Sequence, residues 1–276
     1  MNERTRVAVA QMTSSDELRG NLAEARELVR RAAGEGARLI VLPENVAMFG
    51  REAAKLAVAE RFEPGVAPEG PIGEAMREAS RETNAWVVWG GVPERHDGAR
   101  VFNACVAVSP DGEVAARYRK VHLFDVSLAD GSVYDESSSV APGEDTVVVD
   151  TGAGRLGLSV CYDLRFPELY RALVDQGAEL LCVPAAFTVP TGRDHWHVLL
   201  RARAIESQCY VLAAAQWGAH TNGRETYGHA MVVDPWGAVL SELPEGRGVI
   251  TAEVDPERLA QVRANLPSLR HRRIGR

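Results

Sequence analysis

The sequence predicts an α/β fold, namely a four-layer α-β-β-α sandwich of two mixed sheets with an internal pseudo-two-fold repeat. Short apolar segments rich in β-branched residues alternate with longer amphipathic stretches, the pattern of strands alternating with helices. The apolar segments 37–42 and 178–183 lack polar alternation, so both faces of each strand should be covered. The clearest predicted helices are 16–33, 71–83, 166–176 and 195–207.

Four strand-like segments of the first half recur in the same order in the second half. The pairs are RVAVAQM at 6–12 with RLGLSVC at 155–161, GARLIVLPE at 36–44 with GAELLCVPA at 177–185, AWVVWGG at 85–91 with YVLAAAQ at 210–216, and FNACVAVSPDGEV at 102–114 with YGHAMVVDPWGAV at 227–239. The last pair predicts β-hairpins with turns at SPDG and DPWG. Two such halves can stack sheet on sheet with helices outside. A single doubly wound sheet is the alternative, which the two hairpins disfavour.

The segment 117–145 has no counterpart in the second half and is therefore interpreted as an insertion. An unrepeated insertion is a natural place for specialised chemistry. With 276 residues, of which 46% are hydrophobic, the chain can bury a core without disulfides. We expect one domain that spans residues 1–276.

Charge and cysteine content narrow the class of protein. The formal net charge of −7 argues against a nucleic-acid or membrane-surface partner, and the basic run 270–273 is too short to reverse it. The N-terminus MNERTRVAVAQM is charged where a secretory signal needs apolar residues. Four widely spaced cysteines without a CxxC pair indicate free thiols in a reducing compartment, so we expect a cytoplasmic protein.

Three candidate catalytic residues each end a predicted strand. Glu44 follows LIVLP, and carboxyl ends of strands in α/β folds are where catalytic groups collect. Cys161 is expected to end the matching strand of the second half, before an elbow, CYDLRFPEL, that leads into a helix. A thiol there can be partly exposed and near backbone N–H groups that favour the thiolate. Lys120 ends AARYRK and opens the insertion. Alone, each has a structural explanation: a capping glutamate, a buried thiol, a solvated lysine.

Together these motifs carry a family resemblance. LPEN around Glu44, YRKVHLFD around Lys120 and CYDLRFPEL around Cys161 resemble the nitrilase superfamily of carbon–nitrogen hydrolases, from about residue 6 to residue 273. The fold of that family is the four-layer sandwich. The segments 186–216 and 227–237 resemble the branch of deaminated glutathione amidases and ω-amidases. Val189, Pro190 and Arg193, in TVPTGRDHW, depart from its pattern and leave the substrate open.

The resemblance and the chemistry of amides together imply a mechanism. Cys161 attacks the carbonyl and forms a thioester, while Glu44 takes the thiol proton and returns it to the departing ammonia. Lys120 faces the oxyanion, helped by the backbone N–H of Tyr162. Glu44 then activates water to release the carboxylate. The resemblance also implies that Glu136, in YDES, pairs with Lys120. No metal and no organic cofactor is required.

The favoured substrate on this branch is a small anionic ω-amide, such as deaminated glutathione or a 2-oxo ω-amide. We expect five residues to bind it: Tyr162, Arg165, Phe187, Thr191 and His195. Arg165 should anchor a substrate carboxylate, because a cation at a helix N-terminus has little structural reason to be there. An ion pair of Arg165 with Asp163 or Glu168 is the structural alternative.

Other interpretations stay open at this point. The chain could be a nitrilase or an N-carbamoyl amino acid hydrolase of the same superfamily, or an inactive scaffold or binding member. His122 could serve as base to Cys161 in a papain-like pair. His195 and His197 could suggest a metal site, but histidines two apart on a helix face different sides. The resemblance further implies a homodimer or larger homo-oligomer, formed through the helix after Cys161 and the C-terminal segment.

Overall fold

Two mixed β-sheets form the centre of the computed structural model, which describes residues 3–96, 98–127 and 131–274. The strands are β1 (Thr5–Met12), β2 (Leu39–Val41), β3 (Trp86–Arg95), β4 (Val101–Val108), β5 (Val114–Arg119), β6 (Asp125–Ser127), β7 (Val133–Asp135), β8 (Val140–Ala141), β9 (Val148–Thr151), β10 (Gly154–Gly157), β11 (Leu180–Cys182), β12 (Tyr210–Ala213), β13 (Ala215–Ala219), β14 (Glu225–Tyr227), β15 (Ala230–Val233), β16 (Val239–Leu243) and β17 (Gly248–Val254). The α-helices are α1 (Leu18–Gly34), α2 (Glu52–Ala57), α3 (Gly70–Thr83), α4 (Pro167–Asp175), α5 (Val189–Ser207) and α6 (Pro256–Asn265).

The strand order of the two sheets confirms the predicted repeat. The first sheet runs β14-β13-β1-β2-β3-β4-β5, with β17 also on β1 and β8 on β4; the second runs β16-β15-β12-β11-β10-β9. In the first half β1, β2 and β3 are parallel and β4 and β5 continue antiparallel. In the second half β10, β11 and β12 are parallel and β15 and β16 continue antiparallel. The fold is therefore the two-sheet sandwich and not a doubly wound sheet.

The two halves also exchange a strand. After the first half the chain enters β9, which pairs antiparallel with β10 in the second sheet. After the second half it enters β17, which pairs antiparallel with β1 in the first sheet. Each half therefore completes the sheet of the other.

The repeat corrects one expectation about the site. The strands β2 and β11, in the segments 36–44 and 177–185, hold equivalent places in their sheets. Cys161, however, follows β10, which is the counterpart of β1. The place that matches Glu44 is held by Ala185, so the expectation that Cys161 ends the matching strand was wrong.

Alternation along β1 shows how the four layers are built. Val7 and Val9 point into the core between the sheets, where they join residues of the second sheet such as Leu180. Ala8 and Ala10 point the other way, into a second core formed with α1 and α3. Successive side chains of a strand face opposite sides, so β1 is buried on both. On the far side of the second sheet, α4 and α5 contact its strands.

Local sequence accounts for three differences from the predicted elements. Helix α5 begins at Val189 instead of residue 195, because Pro190 occupies its first turn, where a proline costs no hydrogen bond. The segment 210–216 is not one strand: β12 ends at Ala213 in the second sheet, and β13 begins at Ala215 in the first. The short helix α2 was not predicted.

The insertion 117–145 adds structure without a counterpart in the second half. The strands β6 and β7 form a separate two-stranded sheet, and β8 pairs with β4; residues 128–130 lie outside the described residues. Lys120 directly follows β5, and Glu136 opens a short 3-10 helix directly after β7. Within the described part of the chain, no helix has both the length and the apolar character needed to cross a membrane.

Candidate active site

Four side chains that follow the C-terminal ends of strands lie together: Glu44 after β2, Lys120 after β5, Glu136 after β7 and Cys161 after β10. The Lys120 Nζ lies 3.0 Å from Glu44 Oε1 and 2.8 Å from Glu136 Oε2. Cys161 lies beside this cluster and shares its pocket. The side chains of Glu44 and Lys120 are nearly inaccessible, with residue exposures of 4% and 2%. Charged groups buried to this degree are stable only when paired and hydrogen-bonded, and here both conditions hold.

Three donors fix the carboxylate of Glu44. Its Oε1 accepts hydrogen bonds from Lys120 Nζ and from Asn103 Nδ2, each at 3.0 Å. Its Oε2 accepts a hydrogen bond from the backbone N–H of Ala186 at 3.0 Å. These bonds fix the orientation of the carboxylate: Oε1 faces Lys120 and Asn103, and Oε2 faces the backbone of Ala186.

Glu136 holds the other side of Lys120. Its carboxylate accepts from Lys120 Nζ at 2.8 and 3.1 Å, from Asn103 Nδ2 at 3.2 Å and from the backbone N–H of Phe124 at 2.7 Å. Burial alone would raise the pKa of Glu136, but the charge and hydrogen bonds of Lys120 outweigh it, and the pKa lies below its ordinary value. Glu136 is thus ionised at neutral pH.

Lys120 is a fixed cation. Burial acts to lower its pKa, but the negative charges of Glu136 and Glu44 outweigh burial and hold the pKa well above its ordinary value. An ammonium group has three N–H donors. The two carboxylates accept from it, and a donor can remain for a third acceptor in the pocket.

Cys161 sits in a strained turn. Its φ of 49° lies in the left-handed region, which a non-glycine residue rarely adopts. Its backbone N–H donates to Pro184 O at 2.9 Å, and a 3-10 helix, Cys161–Arg165, begins at the residue. The turn directs the side chain into the pocket shared with Glu44 and Lys120.

The protonation state of Cys161 differs from the expected thiolate. Its exposure is 9%, so the residue is buried. Burial raises the pKa of the thiol well above its ordinary value, and the negative charge of Glu44 raises it further; Lys120 and the Ala186 N–H act in the opposite direction but do not compensate. The expectation of a partly exposed thiolate was therefore wrong. The resting group is a neutral thiol next to a carboxylate.

The space around these groups, including the open solvent at its mouth, amounts to about 550 Å³. Four of the five predicted substrate-binding residues line it: Tyr162, Arg165, Phe187 and Thr191. His195 does not; its Nδ1 lies 3.1 Å from Arg165 Nη1. Apart from Glu44, Lys120, Glu136 and Cys161, the remaining lining residues are Asn45, Lys55, Phe124, Tyr134, Ala186, Thr188 and Arg224.

Arg165 faces the pocket and makes neither of the ion pairs considered for it. Its guanidinium carbon lies 5.2 Å from the ring centre of Phe187 and 5.7 Å from that of Tyr162. No salt bridge joins it to Asp163 or Glu168 in the described structure. Because the guanidinium is flanked by rings and a histidine instead of a carboxylate, it can receive an anionic ligand.

Asp163 belongs to a hydrogen-bond network behind Cys161. Its carboxylate accepts from Tyr118 Oη at 2.8 Å, from the backbone N–H groups of Val160 at 2.8 Å and His122 at 3.1 Å, and lies 2.7 Å from His122 Nδ1. The His122 ring stacks on Phe166 with centroids 3.7 Å apart. His122 does not line the pocket, which disfavours it as the base for Cys161.

Comparison with known proteins places this geometry in a family. The sequence profile of the family described as carbon-nitrogen hydrolase matches residues 6–264. The chain belongs to the carbon–nitrogen hydrolase family. It is 46% identical over 269 residues to a deaminated glutathione amidase of Synechocystis sp., covering 96% of this chain and 97% of that one. It is 44% identical over 273 residues to the deaminated glutathione amidase of Homo sapiens, covering 97% of this chain and 82% of that one.

A solved structure shares the fold of this carbon–nitrogen hydrolase. The crystal structure of the Caenorhabditis elegans NitFhit protein superposes with a TM-score of 0.90 and 40% identity, covering 98% of this chain. The present chain spans 65% of the length of NitFhit. The predicted superfamily and the predicted sandwich are confirmed, and the chain is an enzyme that hydrolyses amides.

Several residues in the pocket or in contact with its glutamates were not predicted from the sequence. Asn103 is the most central, because its Nδ2 donates to both Glu44 and Glu136. The sequence did contain an indication that Asn103 is functional, since it is the one side-chain amide in the apolar strand FNACVAV. Lys55 is also notable: it and Lys120 are the only lysines in the chain, and both line the pocket.

One group of side chains outside the pocket has ligand types that suit a metal ion. Donor atoms of His197, His229 and Glu242 lie within 4.8 Å of one another. Both imidazoles already contact the same oxygen, Glu242 Oε1, at 2.8 and 2.6 Å, so the group is internally hydrogen-bonded as it stands. His195 and His197 do point to different partners, as the helix period predicts.

Proposed function

We propose that this hydrolase cleaves an anionic amide, either deaminated glutathione or a related 2-oxo ω-amide, through a thioester on Cys161. The observation that carries the proposal is the placement of Glu44, which is hydrogen-bonded to Lys120 and to Ala186 N and lies against the Cys161 thiol. One carboxylate thus contacts the nucleophile and the cation of the site. The names of the similar amidases support the choice of substrate.

Acylation begins from the neutral thiol. Glu44 accepts the thiol proton as sulfur attacks the amide carbon, because the raised pKa of Cys161 leaves little thiolate at neutral pH. The carbonyl oxygen becomes an oxyanion that faces the ammonium of Lys120, with the Tyr162 backbone N–H as a second donor. The C–N bond breaks as the proton on Glu44 passes to nitrogen, leaving the acyl group on sulfur.

Deacylation reuses the same groups. Water takes the place of the departed amine, and Glu44 removes its proton as oxygen attacks the thioester carbon. Lys120 again faces the oxyanion. Collapse of this intermediate breaks the C–S bond and returns the proton to sulfur. The site regains its neutral thiol and ionised Glu44, so the cycle is balanced without a cofactor.

The leaving group depends on the substrate. A 2-oxo ω-amide with a primary amide releases ammonia. Deaminated glutathione contains only secondary amides, so its cleavage releases an amine that carries the rest of the peptide. An assay that detects ammonia alone would therefore miss this reaction, and the amine product has to be measured as well.

The test compares four substrates under identical conditions: deaminated glutathione, a 2-oxo ω-amide, an aliphatic nitrile and an N-carbamoyl amino acid. We expect turnover of the two anionic amides, with an acyl adduct on Cys161 in rapidly quenched samples analysed by mass spectrometry. Cys161→Ser is the control for both readouts. Carbon dioxide released together with ammonia, or turnover of the nitrile alone, would replace the proposal by one of the other superfamily activities.

Arg165 provides a second test of the substrate class. The proposal assigns it to a carboxylate of the acyl group, because it lies four residues from Cys161 and faces the pocket. Loss of a charged hydrogen bond costs about 1.5–3 kcal/mol, so Arg165→Met should lose roughly 10–150-fold in kcat/KM on an anionic amide. A neutral amide of similar size is the control. Equal losses on both would show that Arg165 supports the loop around Cys161.

We further propose that the protein is a homodimer and works in the cytoplasm. Exposed apolar side chains on α5 and on the turn between β15 and β16, namely Val198, Ile205 and Trp236, support an interface there. In the C-terminal segment, Arg272 pairs with Asp175 of its own chain. Light scattering should give twice the monomer mass, and Trp236→Glu should reduce it.

The proposed cytoplasmic location is supported by the four free cysteines, which fit a reducing compartment.

A further inference from the structure

Asn103 connects three charged residues of the site. Its Nδ2 donates to Glu44 Oε1 at 3.0 Å and to Glu136 Oε1 at 3.2 Å. Its backbone O accepts from the backbone N–H of Lys120 at 2.9 Å. The residue is 6% exposed, and its side chain carries no charge. An uncharged amide therefore contacts both carboxylates, and its main chain holds the residue that supplies the cation.

Two donors and two acceptors alternate at the centre of this cluster. The Lys120 Nζ lies 3.0 Å from Glu44 Oε1 and 3.1 Å from Glu136 Oε1. The Asn103 Nδ2 donates to the same two oxygens. A carboxylate oxygen has about two lone pairs that can accept hydrogen bonds. Both lone pairs of Glu44 Oε1 are therefore occupied, one by the ammonium and one by the amide.

The amide of Asn103 has an orientation that serves the two glutamates and leaves its own oxygen unpaired. Among the described residues, no group donates a hydrogen bond to its buried Oδ1. A buried acceptor without a partner is unfavourable and uncommon. The opposite orientation would place Oδ1 against two carboxylate oxygens, where like partial charges repel. The orientation of the amide is thus set by the two N–H groups that it directs at the glutamates.

The second oxygen of Glu44 faces the thiol. In the described structure, Oε2 accepts a hydrogen bond from the backbone N–H of Ala186 at 3.0 Å. The same N–H acts on the Cys161 thiol, and the Glu44 carboxylate also interacts with that thiol. With one lone pair bonded to Ala186, Oε2 retains another for a proton. A proton that arrives on Glu44 therefore finds a position on Oε2 and none on Oε1.

We infer that Asn103 is a positioning residue that keeps Oε1 of Glu44 occupied, so that Oε2 carries the proton between the Cys161 sulfur and the departing nitrogen. The inference rests on the proposed function, in which Glu44 is the base. The S–H bond breaks as an O–H bond forms on Oε2, and the same proton passes to nitrogen as the C–N bond breaks. Because Asn103 shares the work of holding both carboxylates, the third N–H of Lys120 stays available to the oxyanion.

The experiment replaces Asn103 by an apolar side chain of similar shape and measures kcat, KM and the pH profile of kcat/KM. In Asn103→Leu the carboxylates lose a shared donor, and this loss favours the protonated carboxyl. We expect the acid limb of kcat/KM to move to higher pH by about one pH unit. A misplaced base should lower kcat on the order of 10²-fold. KM should change little, because Asn103 does not line the pocket.

A second variant, Asn103→Asp, keeps the shape of the side chain and replaces both N–H donors by an acceptor. A further negative charge beside a carboxylate favours its protonated form. The acid limb should therefore move to higher pH by more than in Asn103→Leu. All variants are measured on one substrate, so that ionisation of the substrate affects every profile equally. Thermal unfolding of each variant shows whether it is folded.

Asn21→Leu is the matched control. Asn21 is also buried, its Nδ2 also donates to two acceptors, Ser15 O at 2.8 Å and Ala47 O at 2.9 Å, and it does not line the pocket. This variant should lose stability but keep the wild-type kcat and acid limb. An acid limb that stays at the wild-type pH in both Asn103 variants would overturn the inference while the proposed function stands. Wild-type kcat in Glu44→Gln would overturn both.

Discussion

Val160 donates its backbone N–H to Asp163 Oδ2 at 2.8 Å, across the turn that holds Cys161 in a left-handed conformation. The same carboxylate accepts from Tyr118 and His122, and Asp163 itself is fully buried. A strained backbone persists only where its surroundings hold it. The carboxylate of Asp163 supplies that restraint at the residue before the nucleophile and links it to the segment after Lys120.

We therefore expect Asp163→Asn to lower both stability and kcat. The amide has one acceptor oxygen where the carboxylate has two, and its NH2 group would face donors. The free energy of unfolding should drop by about 1–3 kcal/mol, measured by urea denaturation. Asp150→Asn, at a side chain that is 84% exposed, is the control. Equal stability of the two variants would refute the restraint.

Glu44→Gln should lower the rate of hydrolysis but make the Cys161 thiol react with alkylating agents at lower pH. Loss of the general base should reduce kcat by roughly 10²–10⁴-fold. The negative charge of Glu44 contributes to the raised pKa of Cys161, so its removal should lower that pKa. Alkylation by iodoacetamide, which requires the thiolate, should then begin at lower pH in the variant than in the wild type.

The measurement is the pH dependence of the alkylation rate, followed by mass spectrometry at each cysteine. Cys105, Cys182 and Cys209 are fully buried and serve as internal controls. An alkylation midpoint that rises in Glu44→Gln would mean that the carboxylate promotes the thiolate at rest.

Lys120→Ala should be far more damaging than Glu136→Gln. Loss of the cation removes the stabiliser of the oxyanion and should cost roughly 10²–10³-fold in kcat. Glu136→Gln leaves Lys120 in place and paired with Glu44, so part of the activity should remain, limited by acylation. Single-turnover kinetics that resolve acylation from deacylation test this order. Near-wild-type kcat in Lys120→Ala would exclude the assigned role.

Gly91→Ala should displace the proposed base, Glu44, while leaving its carboxylate chemically unchanged. A methyl group at this position would lie 2.7 Å from Glu44 Cγ and 2.8 Å from Asn103 Oδ1, so the carboxylate must move. A shift of this size can cost on the order of 10²-fold in kcat. Gly65→Ala is the control, because Gly65 also has a positive φ but a methyl group there meets nothing within 4 Å. Kinetics and unfolding of both variants separate the displacement from backbone strain.

The residues that meet at the candidate active site could be predicted because their signals are local. Glu44 lies three residues after the apolar strand β2, Lys120 directly follows β5, and Cys161 lies at an elbow between a strand and a helix. Asn103 escaped prediction because its partners are 59 and 33 residues away in sequence. Only the folded sheet shows that its amide lies between the two glutamates.

The wrong expectation for the Cys161 thiol and the failure to predict Arg224 as a pocket residue share one physical origin: both depend on distant parts of the chain. The protonation of Cys161 depends on burial and on the charge of Glu44, which lies in the other half of the chain, and neither is visible in the local motif. Arg224 lies on a hairpin that the repeat does not contain, so no matching segment pointed to it. The sequence pattern therefore indicated the fold and the reacting groups better than the electrostatics of the pocket.

The reciprocal placement of β9 and β17 has a consequence for how the enzyme can move. Because each half supplies a strand to the sheet of the other, the halves cannot separate as hinged domains do without breaking main-chain hydrogen bonds. The groups that meet at their junction are consequently assembled when the chain folds, before any substrate arrives. Substrate entry must rely on side chains and loops at the rim, and a chain divided between β9 and β10 would yield two fragments that each lack a strand of their own sheet.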